Sequence, residues 1–142
     1  MHRGIPCGLV LLLGGLFSHP SLACSCVSVS PRQVFEHDNV VVLVKVTGLE
    51  TPTLDGPWTA TLVVVKSWKG DLRPNSTLRA QTMGPRGACG FFIGVGDELI
   101  VYSDDKASPS LGLCNTVRGN QLRQFTEELD AISNENTMSK PY

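Results

Sequence analysis

Apolar residues run almost unbroken from Val40 to Val46 and stop at Thr47-Gly48. A short β-branched run bounded by turn residues predicts a strand buried on both faces. A second run, rich in Thr and Val, spans Trp58 to Trp68 and closes at Lys69-Gly70-Asp71. Between them, residues 49–57 carry two prolines and a glycine and predict a loop. A shorter strand is expected over Thr77–Gln81, and two more, Cys89–Ile93 and Glu98–Ser103, around Gly94-Val95-Gly96-Asp97. Two segments follow a helical rhythm instead. Ser30-Pro31-Arg32-Gln33 has an N-cap, a proline at the first helical position and a capping-box Gln, predicting a helix to His37 or Asp38 with Val34 and Phe35 inward. Leu122, Phe125, Leu129 and Ile132 recur at steps of three, four and three, which places a second helix from about Asn120. Residues 135–142 are polar and read as a loose tail.

Five short strands with a helix before and a helix after predict a mainly β domain over residues 24–134: a small closed five-stranded OB-type barrel. Its expected core is Val42, Val44, Val63, Val65, Phe91, Ile100, Phe125 and Leu129.

Residues 1–23 stand apart from this pattern. Arg3 is the only firm charge, an apolar run extends from Gly8 to Phe17, and Ser21 and Ala23 are small residues at the −3 and −1 positions of a cleavage site. This is the pattern of a secretory signal peptide, too short in its apolar run to span a bilayer. Secretion to the extracellular space follows, with no membrane association after cleavage. Without Arg3, 11 basic residues face 13 acidic ones, a balance that argues against nucleic acid or an anionic membrane as partner. Cys7 leaves with the leader, so Cys24, Cys26, Cys89 and Cys114 remain. An even count in an oxidising compartment predicts two disulfides, and four cysteines allow three pairings. Asn75-Ser76-Thr77 is a possible N-glycosylation sequon.

Catalytic chemistry finds little footing. His37 is the only histidine beyond the leader, at a polar helix end, and the acids Asp97-Glu98 and Asp104-Asp105 sit beside turns. No phosphate-binding Gly-rich loop, zinc-binding His pair or nucleophile elbow occurs, so the chain is not expected to be an enzyme or to carry a cofactor of its own. The spacing of the cysteines also departs from structural zinc patterns.

The informative stretch is Ala23-Cys24-Ser25-Cys26-Val27. Cleavage after Ala23 makes Cys24 the first residue, with a free α-amine. Side chains at Cys24 and Cys26 fall on one side of an extended segment. A terminal amine and its own carbonyl oxygen can chelate one metal ion in a five-membered ring, filling the open position of a zinc held by three protein ligands.

In this order, Cys24-Ser25-Cys26-Val27, Ser30-Pro31-Arg32-Gln33-Val34-Phe35, Asp38-Asn39-Val40-Val41, Lys66-Ser67-Trp68-Lys69-Gly70 and Ala88-Cys89-Gly90-Phe91 resemble the N-terminal inhibitory domain of the tissue inhibitors of metalloproteinases, a netrin-like OB-fold module. The resemblance implies disulfides Cys24–Cys89 and Cys26–Cys114. It further implies that Cys24 chelates the zinc of a secreted zinc metalloproteinase, matrix-type or a related metzincin, and Ser25 enters the S1′ pocket. Val27 and Ser28 would follow the primed side with Cys26, and Gly87 and Ala88, tethered by Cys89, the unprimed side. The protein would act as a monomer. The alternative is a netrin-like binding module that holds a matrix component or receptor on the same barrel and needs no free amine.

Overall fold

The structure, a computed structural model, describes residues 24–51, 53–86, 89–105 and 110–139. The expected leader, Gly87, Ala88 and the last three residues lie outside these. Helix α1 spans Pro31–His37, followed by strands β1 (Val40–Glu50), β2 (Pro57–Lys69), β3 (Thr77–Met83), β4 (Glu98–Ser103) and β5 (Thr116–Val117), and then helix α2 (Gln121–Met138). The five strands form one antiparallel sheet in the order β3-β2-β1-β4-β5, curled into a half-barrel. Three register shifts along β1 and β2, between Val41 and Val42, Leu43 and Val44, and Val46 and Gly48, mark the bends. An extra residue on one strand increases local twist and curls the ladder.

β1 is buried on both faces over Val40–Val42, and beyond that its outward side opens at half-buried Leu43 and exposed Lys45. Val40, Val42, Val44 and Val46 point into the concavity with Leu62, Val64, Leu99, Val101 and Phe91. Val41 faces the other way and joins Val34 of α1, Trp68, Ile100, Tyr102, Val117 and Leu129 of α2. The sheet therefore separates two cores, and both helices cover its convex side. Each fully buried valine or leucine here is worth about 1.5–3 kcal/mol relative to exposure.

Helix α1 forms as its sequence predicts. The Gln33 backbone N–H donates to Ser30 Oγ at 3.3 Å, and the Ser30 N–H donates to Gln33 Oε1 at 2.9 Å. At its far end Lys69 Nζ donates to the carbonyls of Phe35 (2.8 Å) and Glu36 (3.3 Å), a cation placed at the negative end of the helix. Asp130 of α2 ties that helix to β2. It accepts from Trp68 Nε1 at 2.5 Å and pairs with Lys66 Nζ at 2.6 Å. Partial burial pushes the Asp130 carboxyl up, but the hydrogen bonds from Lys66 and Trp68 and the Lys66 charge outweigh it and hold the group below its ordinary pKa of 3.8.

Several expectations are corrected. The barrel is open: β3 and β5 do not pair, because β5 is two residues long and cannot offer a ladder to a seven-residue edge. Among the described residues one backbone hydrogen bond spans the gap, Leu111 N–H to the Gln81 carbonyl at 2.9 Å, and Phe91, Ile93 and Leu111 fill it from within. Cys89–Ile93 is not a strand. Cys89 has a φ of 60°, incompatible with a ladder, and the segment runs as irregular chain; the fifth strand is Thr116–Val117 instead. On β2 the inward residues are Leu62 and Val64, while Val65 is 43% exposed and Val63 half-buried. The run Leu62–Val65 is apolar throughout, so it carries no phase of its own; pairing to β1 supplies it. The loop after β1 is shorter than expected, since Leu49 and Glu50 still pair with β2. The expected tail is helical to Met138, with Arg32 of α1 pairing to Glu135 at 3.0 Å. Phe125 is half-buried, and the α2 residues in full contact are Leu129 and Ile132.

Two predictions follow from this packing. Leu129→Ala should lower stability by about 2–5 kcal/mol in denaturant unfolding, with Phe125→Ala costing less because the ring keeps solvent contact. For Asp130, the fold favours the ionised form. Its contribution is fully present above pH 3.8 and drains away as pH falls through the lowered folded value. Asp130→Asn should therefore be less stable than the parent at neutral pH, and the difference should vanish on acidification to about pH 2, followed by Trp68 fluorescence.

Candidate functional site

Residues 24–30 form neither helix, strand nor turn before α1, and the cap Ser30 has extended backbone. Cys24 is half-buried, whereas Ser25, Cys26, Val27 and Ser28 are exposed, Val27 to 85%. Two disulfides fasten this short run: Cys24 to Cys89 and Cys26 to Cys114, with Cα atoms 5.4 and 5.1 Å apart. This is the pairing that the resemblance implies. Ser30 and buried Pro31 then hold the run's downstream end through the capping box. The result is a projecting ridge, Ser25 to Ser28, anchored before, within and after. In the chain-entropy model, closing loops of 65 and 88 residues is worth about 4 kcal/mol each, not additively.

Each anchor has its own support. Behind Cys89, the turn between β1 and β2 is clamped to the chain just past β3, with Gly84 N–H donating to the Gly56 carbonyl (2.9 Å) and Arg86 N–H to the Leu54 carbonyl (3.2 Å), while Trp58 Nε1 of β2 braces the turn through the Thr53 carbonyl (2.6 Å). The backbones approach so closely that a Cβ on Gly90 would fall 1.9 Å from the Gly84 carbonyl oxygen. Only glycine fits there. Behind Cys114, Tyr102 donates its hydroxyl to the Cys114 carbonyl at 2.6 Å, and burial, with the Asp38 charge second, raises the phenol above its ordinary pKa. Asn115 braces the same turn, accepting from Gly112 N–H at 2.6 Å and donating to the Ser110 carbonyl at 2.7 Å.

A groove of about 300 Å³ lies between the ridge and α2, lined among others by Val27, Val29, Tyr102, Leu113, Phe125 and Glu128. Near Cys89, Phe92 is 70% exposed and Arg118 donates to its carbonyl; near Cys114, Leu113 is 38% exposed. The ridge is thus flanked by outward apolar side chains at both disulfides. All four cysteines among the described residues are bonded, so none of them offers a thiolate. Among the described residues no three His, Cys, Asp or Glu side chains gather as a metal site. His37 is exposed at the end of α1, and Asp97 is engaged in its turn, accepting from Gly94 N–H at 2.7 Å.

Of the residues singled out from sequence, Cys24, Ser25, Cys26, Val27, Ser28 and Cys89 are brought together by the first disulfide. Gly87 and Ala88 lie outside the described residues. Sequence reasoning missed Gly84, Gly90, Tyr102 and Asn115, which build the anchors, and Phe92. A signal existed for Phe92: the expected strand Cys89–Ile93 would by alternation send one ring of Phe91-Phe92 outward, and the irregular segment found there exposes the same ring. No protein-family model matches the chain, and comparison with curated proteins gives no match.

Gly90→Ala should force the Gly84 backbone away and lower stability by about 1–3 kcal/mol. The Cys24–Cys89 bond should then be reduced faster by a mild thiol than in the parent, read by mass spectrometry of alkylated peptides.

Proposed function

We propose that the chain, cleaved after Ala23 and secreted, is a monomeric inhibitor of zinc metalloproteinases of the tissue-inhibitor, netrin-like type. The observation that carries this reading is the exposed ridge Ser25–Ser28, fastened by disulfides at alternate residues Cys24 and Cys26. A segment already tethered by disulfides at alternate residues gives up little conformational freedom on entering a cleft, so more of its contact energy remains as affinity. The exposed flanks Val27, Phe92 and Leu113 supply apolar surface beside it.

The chemistry rests on Cys24. Its α-amine and carbonyl oxygen chelate the zinc that the protease holds; the inhibitor brings no metal. The amine binds in its neutral form, and with an ordinary pKa of about 7.7–8.0 a useful neutral fraction exists near pH 7. Coordination expels the remaining proton and displaces the zinc-bound water, at a Zn–N distance of about 2.0–2.1 Å. Ser25 enters the S1′ pocket, Val27 and Ser28 continue along the primed side, and Gly87, Ala88 and Cys89 lie on the unprimed side. In the uncleaved chain the same nitrogen is an amide whose lone pair is delocalised into the Ala23 carbonyl, so it cannot coordinate.

The test compares the mature protein with a form carrying one extra Ala before Cys24, each titrated against active matrix-type metalloproteinases. The extension leaves fold and disulfides unchanged but removes the metal–nitrogen bond, so inhibition should fall by orders of magnitude while the melting temperature holds. Equal inhibition by both forms defeats the chelation mechanism. Failure of the mature form against a broad metalloproteinase panel defeats the inhibitor reading, and the ridge with its apolar flanks then belongs to a matrix- or receptor-binding module.

A further inference from the structure

The loop between β2 and β3 holds a site that the ridge does not use. Asn75 has a φ of 65°, in the left-handed region that asparagine tolerates better than most side chains. Its backbone is fixed: Asn75 N–H donates to the Val64 carbonyl at 2.7 Å, Ser76 N–H to the Arg73 carbonyl at 3.1 Å, and Ser76 Oγ to the same carbonyl at 2.6 Å. Asn75 is exposed, and among the described residues its carboxamide has no hydrogen-bond partner. Thr77, which completes the sequon, is also exposed and opens β3. The turn thus presents a free carboxamide and a free hydroxyl two residues apart. The two disulfides supply a second, independent line, since they form in the oxidising compartment through which glycosylated chains pass.

The neighbouring strand gives such a modification a role. β3 is an edge of the open sheet, and among the described residues only the Leu111 N–H reaches its outer side. An unpaired edge strand is a template for lateral pairing with another chain. We propose that Asn75 carries an N-linked oligosaccharide whose bulk at the start of β3 blocks edge-to-edge association of this half-barrel. The co-reactant is a lipid-pyrophosphate-linked oligosaccharide of the secretory pathway. The Asn75 amide nitrogen forms a bond to the anomeric carbon of the first sugar, that carbon's bond to the pyrophosphate oxygen breaks, and the lipid pyrophosphate leaves as the anion. The nitrogen gives up one proton in the exchange. The inference rests on the secretory route and is independent of the inhibitor reading.

The test uses protein secreted from a eukaryotic host and purified from the medium. Treatment with an amide-cleaving glycosidase in heavy-oxygen water should convert Asn75 to a labelled Asp with loss of a discrete glycan mass. Thr77→Ala and Asn75→Gln should abolish that loss, and Thr77→Ser should keep it. Thr77→Ala, which leaves Asn75 in place, should show concentration-dependent oligomers by light scattering where the glycosylated parent stays monomeric. Unmodified Asn75 in the secreted parent overturns the proposal, as does a Thr77→Ala protein that remains monodisperse at every concentration. Protease inhibition, assayed on the same samples, reports on the ridge separately.

Discussion

The two-sided burial of β1 is the constraint on which the molecule depends. A strand with water on one side could support one layer; β1, buried on both faces over Val40 to Val42 and on its inner face through Val46, requires two. The inner layer is made by curling β2, β3 and β4 around it. The outer layer needs something apolar to lie across Val41, and the two helices supply Val34 and Leu129. Placing α1 there fixes where the chain enters. Because α1 begins at Pro31 and its cap is Ser30, the residues before it start from the sheet's convex side and are led by their disulfides to the turns that carry Cys89 and Cys114. The ridge is therefore a consequence of how β1 is covered.

The open side of the barrel belongs to the same arrangement. With β5 reduced to two residues, the segment from Cys89 to Ile93 is freed from sheet pairing and fills the mouth with Phe91 and Ile93 while its start reaches Cys24. A full ladder here would hold that segment extended; the positive φ of Cys89 and the glycine packed on the Gly84 carbonyl turn it instead. Strain of this kind persists where the surroundings over-determine it, and here a disulfide and a clamped turn do so.

Legibility from sequence followed the strength of local signals. The α1 boundary was readable because cap, proline and Gln act within four residues. β1 was readable because an apolar run of that length and branching has few other uses. β2 was readable as an element but not in phase, since four successive apolar residues, Leu62 to Val65, contain no alternation and the phase comes from pairing with β1 across the sheet. Closure failed for a related reason: whether two distant edges meet depends on strand lengths set after folding, and β5 has almost no sequence signal. Within the site, the alternate-residue cysteines announced the ridge, but its supports did not show. Tyr102 and Asn115 act through carbonyls that only the folded chain brings near, and Gly84 and Gly90 matter through an approach of two backbones.

The same pair of bonds sets an order of events in biogenesis. A chain that enters an oxidising lumen N-terminus first delivers Cys24 and Cys26 together, while their partners trail by 65 and 88 residues. At about 5–20 residues per second, Cys114 arrives roughly 4–18 s after Cys26. Until Cys89 follows, the nearest thiol to each is the other, and a bond between them would be a small ring that holds neither anchor. Native connectivity then arises by thiol–disulfide exchange, which proceeds over seconds to hours without an isomerase and waits for the last turn and α2 to dock. Of the four bonded cysteines, the one synthesised first is among the last to reach its final covalent state.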